Sequence, residues 1–120
     1  MPSISLVIAA FNEEATLEAV FVRCLDVLVE CSDDFEVLIL DDASTDGTGE
    51  IAASIARNHP DVVRVITHQK NQGIAATFEE LNQAATRDYV FDIPADGEYP
   101  PEALRAIVPL LDDFDIVVCR

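Results

Sequence analysis

Apolar and polar positions along the chain follow two alternating rhythms. Residues 3–10 form a nearly continuous apolar run, the pattern of a strand buried on both faces. Asn12-Glu13-Glu14 then opens a helix, with acids placed to complement the macrodipole of its first turn. Leu17, Val20, Phe21, Cys24, Leu25 and Leu28 recur along it at helical spacing. A second strand over residues 35–40 ends at Asp41-Asp42, and the polar loop 43–48 leads into a helix with Ile51, Ala52 and Ile55 on one face. Pro60 breaks the pattern before a third strand over 62–67. Asn71-Gln72-Gly73 starts a third helix that turns Ile74, Phe78 and Leu81 inward. A fourth strand covers 88–93, Pro100-Pro101-Glu102 opens a fourth helix, and residues 115–119 read as a fifth strand.

Repeated strand–helix alternation predicts an α/β fold, a mainly parallel sheet with flanking helices and right-handed crossovers. No linker, internal repeat or low-complexity segment interrupts it, so the 120 residues form one domain. Ligands of such sheets bind outside the carboxyl ends of the strands, near a reversal of strand order. The polar clusters fall at those ends: Phe11-Asn12-Glu13, Asp41-Asp42 and Asp96-Gly97-Glu98.

Charge narrows what the ligand can be. With 23 Asp and Glu against 7 Lys and Arg, the formal charge is −16. That balance argues against nucleic acid and against docking on an anionic membrane surface. A negatively charged ligand would have to be held by backbone N–H groups, a helix N-terminus or a bridging cation. No apolar run is long enough to span a bilayer and the N-terminus lacks a basic leader region, so a soluble, cytoplasmic chain is expected, at the cytoplasmic face of a membrane if a longer protein carries a membrane segment. Cys24, Cys31 and Cys119 have no metal-like spacing and read as buried thiols.

Asp41 and Asp42 at a strand end can accept from a ring N–H or a ribose hydroxyl. The alternative is a turn or helix cap completed by Ser44, Thr45 and Asp46, but two adjacent acids exceed what a cap needs. Asp96 and Glu98 flank a glycine that permits a sharp turn, and offer oxygens to Mg²⁺ or Mn²⁺ bound with phosphate. The alternative there is a solvated loop before a proline-capped helix. Asn71-Gln72-Gly73 offers free N–H groups to an anion, with Lys70, the single lysine, just before it. His59 and His68 show no partner spacing and read as surface or turn residues. No Gly-x-Gly-x-x-Gly follows a strand, which disfavours a dehydrogenase.

Taken together these segments resemble family 2 glycosyltransferases. Val7-Ile8-Ala9-Ala10-Phe11-Asn12-Glu13-Glu14 is similar to that family's first-strand motif, and residues 36–48, through Asp41-Asp42-Ala43-Ser44-Thr45-Asp46-Gly47, to its second. Asn71-x-Gly73 and Ala95-Asp96-Gly97-Glu98-Tyr99-Pro100-Pro101-Glu102 match its third-helix entry and its Asp-x-Asp stretch. The pattern leans towards the polyprenyl-phosphate branch, which resembles dolichol-phosphate mannosyltransferases.

The resemblance implies a Rossmann-like GT-A fold, here truncated, that binds a nucleotide-diphospho-sugar. Ala9, Phe11, Glu13, Asp41, Asp42, Gly73 and Asp96 would form the nucleotide-sugar site. Asp96 and Glu98 would hold Mg²⁺ or Mn²⁺ against the diphosphate. Sugar would pass to an acceptor such as a polyprenyl phosphate, with a general base beyond residue 120. Pro94 replaces the first Asp of Asp-x-Asp, and Ala9 a usual proline. Without an acceptor half, self-association through exposed apolar surface is a further expectation. Two other readings stay open: a non-catalytic nucleotide-binding module, and a receiver-like phosphoacceptor domain. The receiver has its acidic pair after the first strand rather than the second.

Overall fold

The structure, a computed structural model, describes residues 2–110. Four parallel strands, β1 (Ser3–Ala10), β2 (Asp34–Asp41), β3 (Val63–Thr67) and β4 (Tyr89–Pro94), lie in the order β3-β2-β1-β4. Between them run the helices α1 (Leu17–Cys31), α2 (Thr48–Asn58) and α3 (Ile74–Ala84). The predicted α/β alternation and parallel sheet are therefore present. The expected fifth strand over 115–119, and Cys119 with it, lie outside the described residues.

Strand β1 is interior, paired to β2 on one side and β4 on the other, so every residue from Ile4 to Ala10 is buried. A strand sends successive side chains to opposite faces. Ile4, Leu6, Ile8 and Ala10 face a large core with α1 and α2, joined by Val37, Ile39, Phe91 and Ile93. Val7 and Ala9, with Leu38 and Leu40, face a smaller core closed by Leu81 and Phe78 of α3. Helix α1 buries Leu17, Val20, Phe21, Cys24, Val27 and Leu28, a stripe at i, i+3, i+4 and i+7. It ends where Ser32 turns extended and donates its hydroxyl to the Pro2 carbonyl at 2.6 Å.

Three local expectations are corrected. Helix α1 begins at Leu17, not at residues 12–14, because Asn12 has a φ of +53° and no helix passes through it. Ile74 is 65% exposed rather than inward, while Thr77 and Leu81 are the buried positions of α3. The fourth helix is broken: only Leu104–Ile107 (α4) is α-helical, between 3₁₀ turns at Pro101–Ala103 and Val108–Leu110. Pro109 has no N–H to donate back along the helix, and Pro100 and Pro101 restrict its start. Arg23–Glu102 and Arg105–Glu30 pairs nonetheless fasten this segment to α1.

The amino-terminal half of the sheet is locked by one buried carboxylate. Glu36 accepts from Ser5 Oγ at 2.6 Å, from the Thr86 N–H and hydroxyl at 2.7 and 2.9 Å, and from Arg64 at 2.9 Å. Burial works against its charge, but those hydrogen bonds outweigh it and lower the group from 4.5 to about 2. Its contribution is complete above the unfolded value and is lost as pH falls from 4.5 through about 2. Glu36→Gln is expected to lose roughly 3 kcal/mol at pH 7, with the gap to the native chain narrowing towards pH 3. Urea denaturation at the two pH values checks it; an equal loss at both would assign the effect to packing rather than charge.

Candidate functional site

The chain runs from β1 to β2 to β3 and then crosses back, so that β4 lies on the other side of β1. This reversal leaves a crevice at the carboxyl ends of β1 and β4. A cleft of about 390 Å³ opens there, lined by Ala9, Ala10, Phe11, Glu13, Asp42, Asn71, Gly73, Ile74, Thr77, Pro94, Ala95 and Asp96. Six of the seven expected nucleotide-sugar residues (Ala9, Phe11, Glu13, Asp42, Gly73 and Asp96) thus share one wall system. Asp41 and Glu98 do not line it.

The loops around the cleft are stapled to one another. Asn12 donates its N–H to Ser44 Oγ at 2.9 Å and accepts from the Thr45 N–H at 2.8 Å. The Glu13 N–H donates to Thr48 Oγ1 at 2.8 Å, and the Gly47 N–H to Glu14 Oε2 at 2.9 Å. Thr16 Oγ1 donates to the Ala95 carbonyl at 2.6 Å, bringing in the loop after β4. Ser44, Thr45 and Asp46 therefore do the loop-closing work that the turn reading assigned them, Asp46 through the Thr48 N–H at 2.9 Å. Asp41 is also structural: it is buried and accepts from the Ser44 N–H at 3.0 Å. Its other oxygen lies 2.8 Å from where a side chain on Gly49 would begin, so a larger residue there would collide with it.

Asp42 is the junction. Its Oδ1 accepts from the Gln72 N–H and faces His68 Nδ1, both at 2.8 Å, while Oδ2 accepts from the Gly73 N–H at 3.0 Å. A carboxylate offers about four lone-pair sites. Three are engaged within the chain, which leaves room for one further donor. Burial works against the Asp42 charge, but the bonds to His68, Gln72 and Gly73 prevail and hold the carboxyl below its usual range. Gly73 sits at φ +91° and ψ 163°, a region essentially restricted to glycine. That conformation aims its N–H at Asp42 before α3 begins.

His68 is the residue that sequence reasoning missed. Its sequence context reads as that of a surface or turn residue, yet His68 is buried, with Nδ1 on Asp42 and Nε2 on Glu80 Oε1, each at 2.8 Å. Those two hydrogen bonds, Asp42 first, push the imidazole up from its ordinary 6.5 against the opposing effect of burial. The available signal was its place immediately after β3, on the same sheet edge as Asp41 and Asp42. Lys70 is exposed and outside the cleft lining. Burial pushes the Cys24 thiol up to about 12 and raises Cys31 as well, which keeps both as neutral thiols.

Asp96 is exposed at the cleft mouth and accepts the Glu98 N–H on Oδ1 at 2.9 Å, a turn made possible by Gly97 at φ +82°. Its other oxygen is available to a hard cation. Among the described residues no three His, Cys, Asp or Glu side chains cluster as a preformed metal site. The donor set suits a cation of the Mg²⁺ class that takes one carboxylate and fills its remaining positions with phosphate and water.

Thr77 Oγ1 is the buried side-chain polar atom without a hydrogen-bond partner among the described residues, and it belongs to the cleft wall. Thr77→Val should leave the ligand-free protein as stable or about 1 kcal/mol more stable, since a buried hydroxyl without a partner is destabilising. A lower urea midpoint would show that the hydroxyl is bonded. Ala43 sits at φ +63°, strained for a residue with a Cβ. Ala43→Gly is expected to raise stability by about 1 kcal/mol, measured the same way.

Comparison with known proteins gives a consistent picture. The sequence model of Glycosyl transferase family 2 matches residues 5–120. An undecaprenyl-phosphate 4-deoxy-4-formamido-L-arabinose transferase from Aeromonas hydrophila is 30% identical over 115 residues, which are 95% of this chain and 35% of that protein. A dolichol-phosphate mannosyltransferase from Pyrococcus furiosus is 29% identical over 105 residues, 88% of this chain and 29% of the relative. The structure of a mannosyltransferase from Pyrobaculum calidifontis, in complex with GDP-Man and Mn²⁺, superposes with a TM-score of 0.70 at 28% identity, covering 88% of this chain and 30% of that one. The fold is that of the GT-A glycosyltransferases. The chain spans about a third of the length of the curated relatives it matches.

Proposed function

We propose, from the premise that this chain belongs to glycosyl transferase family 2, that it is the donor-binding half of a sugar transferase. Its cleft would take a nucleotide-diphospho-sugar together with Mg²⁺ or Mn²⁺. The observation that carries this reading is the convergence of Ala9, Phe11, Glu13, Asp42, Gly73 and Asp96 on one cleft at the strand-order reversal. None of these residues is near all the others in sequence; the parallel sheet and the hydrogen bonds between its loops bring them together.

Each residue has a role its surroundings allow. Asp42, with one acceptor position left, takes a single N–H of the base or a ribose hydroxyl. Phe11, 44% exposed on the cleft rim, offers a flat apolar face to the base or ribose. Ala9 and Gly73, with little or no side chain, leave room for the ligand to approach the backbone. Asp96 contributes the carboxylate oxygen for the divalent cation, and Glu98, its neighbour across Gly97, is the second candidate. A bound cation supplies positive charge to the departing nucleoside diphosphate. The chain's formal charge of −16 makes that neutralisation more pressing than in a basic protein. The nucleophile is a hydroxyl or phosphate of the acceptor, which attacks the anomeric carbon. Relatives named for polyprenyl-phosphate and dolichol-phosphate substrates support a lipid phosphate in that role. In this reading the groups that bind and activate the acceptor lie outside the described residues.

Calorimetric titration of UDP, GDP and their sugar conjugates, each with Mn²⁺ and with EDTA, tests the reading. The native chain is expected to bind one nucleotide, more tightly with metal. Asp96→Ala should lose the metal-dependent part and keep the remainder. Equal metal dependence in both proteins would remove Asp96 from the cation site, and no binding of any nucleotide would overturn the donor reading.

A further inference from the structure

We propose that His68 is a positioning residue of the cleft: an imidazolium clamped between Asp42 and Glu80 that fixes the Asp42 carboxylate and the 71–73 turn, so that nucleotide affinity follows its protonation. The inference rests on the donor-binding reading above and adds to it a residue and a pH dependence.

The geometry requires a proton in each of two ring contacts, and with both carboxylates ionised both protons sit on the ring. His68 Nδ1 lies 2.8 Å from Asp42 Oδ1, and Nε2 lies 2.8 Å from Glu80 Oε1. Ionised carboxylates only accept hydrogen bonds, whereas a neutral imidazole has one N–H and one lone pair. A neutral ring would therefore point a lone pair at a carboxylate oxygen at hydrogen-bond distance. The doubly protonated ring donates to both. The titratable groups facing the ring are Asp42, from the end of β2, and Glu80, from α3; Lys70 lies two residues further along its own segment. Both neighbours carry negative charge, and both favour the imidazolium over the neutral form. Asp42 is held below, and His68 above, their ordinary ranges, so the shared proton resides on the ring.

The clamp bears on the ligand through Asp42. The same carboxylate that meets His68 also holds the N–H groups of Gln72 and Gly73, and the Asn71 side chain donates to the Asp42 carbonyl at 3.3 Å. The His68 N–H itself donates to the Asp41 carbonyl at 2.9 Å, which anchors the ring's backbone to β2. His68 and Glu80 do not line the cleft, whereas Asp42, Asn71 and Gly73 do. Loss of the second ring proton removes one of the two side-chain bonds and leaves the Asp42 charge less compensated. In a cleft that is to receive a diphosphate, that added negative charge acts against binding.

The sign follows directly. A histidine raised by its partners is fully protonated below its ordinary 6.5 and loses the proton as pH rises through the higher folded value. Affinity should thus be highest at low pH and fall by roughly ten-fold across that transition, the effect of losing one charged hydrogen bond. Glu80→Gln keeps an oxygen acceptor but removes the charge, on a side chain that is 42% exposed and outside the cleft. The fall should then move to lower pH. Titration of the nucleotide's own phosphate is common to both proteins and cancels in the comparison.

The experiment measures Kd for UDP and GDP with Mn²⁺ from pH 5.5 to 9 on the native chain and on Glu80→Gln, beside ¹⁵N spectra of the histidine rings. Two protonated nitrogens on His68 at pH 7, and a displaced affinity profile in Glu80→Gln, are the expected results. Nucleotide binding with identical profiles in the two proteins would overturn the positioning role and leave the donor reading intact. A singly protonated His68 at pH 7 would overturn it as well. If the native chain binds no nucleotide at any pH, the donor reading fails and this inference fails with it.

Discussion

The Asp42 carboxylate ties the end of β2 to His68 and to the turn that leads into α3. It stands one residue past β2, is almost wholly buried, and receives hydrogen bonds from two successive backbone N–H groups on the approach to α3. Those N–H groups have no partner within the helix, because the first N–H groups at a helix start lack intrahelical acceptors, and Asp42 supplies one. Fixing them on Asp42 sets the position of α3, and α3 in turn supplies Leu81 and Phe78 to the core on that face of the sheet. One wall of the cleft thus depends on a buried charge, and that charge is tolerable only because its donors are in place.

In the proposed donor reading this arrangement suits an acidic chain whose ligand is anionic. Among the described residues no Lys or Arg lines the cleft, and Arg23, Arg64, Arg87 and Arg105 pair with Glu102, Glu36, Asp34 and Glu30 away from it. The Gln72 and Gly73 N–H groups, expected from the sequence to be free for an anion, are held by Asp42, so in the proposed reading a diphosphate relies on a divalent cation at Asp96 and on the buried His68 behind the cleft. Placing the imidazolium behind Asp42, rather than in the cleft, lowers the local negative charge without a cationic side chain reaching the ligand.

The sequence made the architecture legible because apolar runs and helical stripes are imposed by burial, and burial is what builds this sheet. The run over residues 3–10 predicts a strand buried on both faces, and the structure covers one face of β1 with α1 and α2 and the other with α3. The cluster at the carboxyl edge was legible for the same topological reason. Hydrogen-bond partnership was not, since it depends on contacts across the chain: His68 to Asp42 spans 26 residues and Glu36 to Thr86 spans 50. No periodicity announces such pairs. Ile74 misled because helical spacing marks a face but not which face meets the core. The fourth helix is shorter than its start signal at Pro100-Pro101 implies because Pro109, eight residues past Pro101, stops it.

The two ends of the sheet differ in how they hold themselves. At the amino-terminal end Glu36 gathers Ser5, Thr86 and Arg64 into a buried network with every bond made. At the carboxyl end Asn12 and Ala43 occupy left-handed backbone conformations, Thr77 keeps a buried hydroxyl without a partner, and Phe11 stands 44% exposed. Strain and incomplete satisfaction of this kind persist only where surrounding contacts overdetermine the backbone. Here the staples between the loops at 12–16 and 44–48 provide that constraint. Because the strands are parallel, each loop that follows a strand opens at this one edge, so the parallel topology confines the strain to the place where the ligand-facing residues converge. The Glu36 network at the opposite edge adds stability without restricting what the cleft can hold.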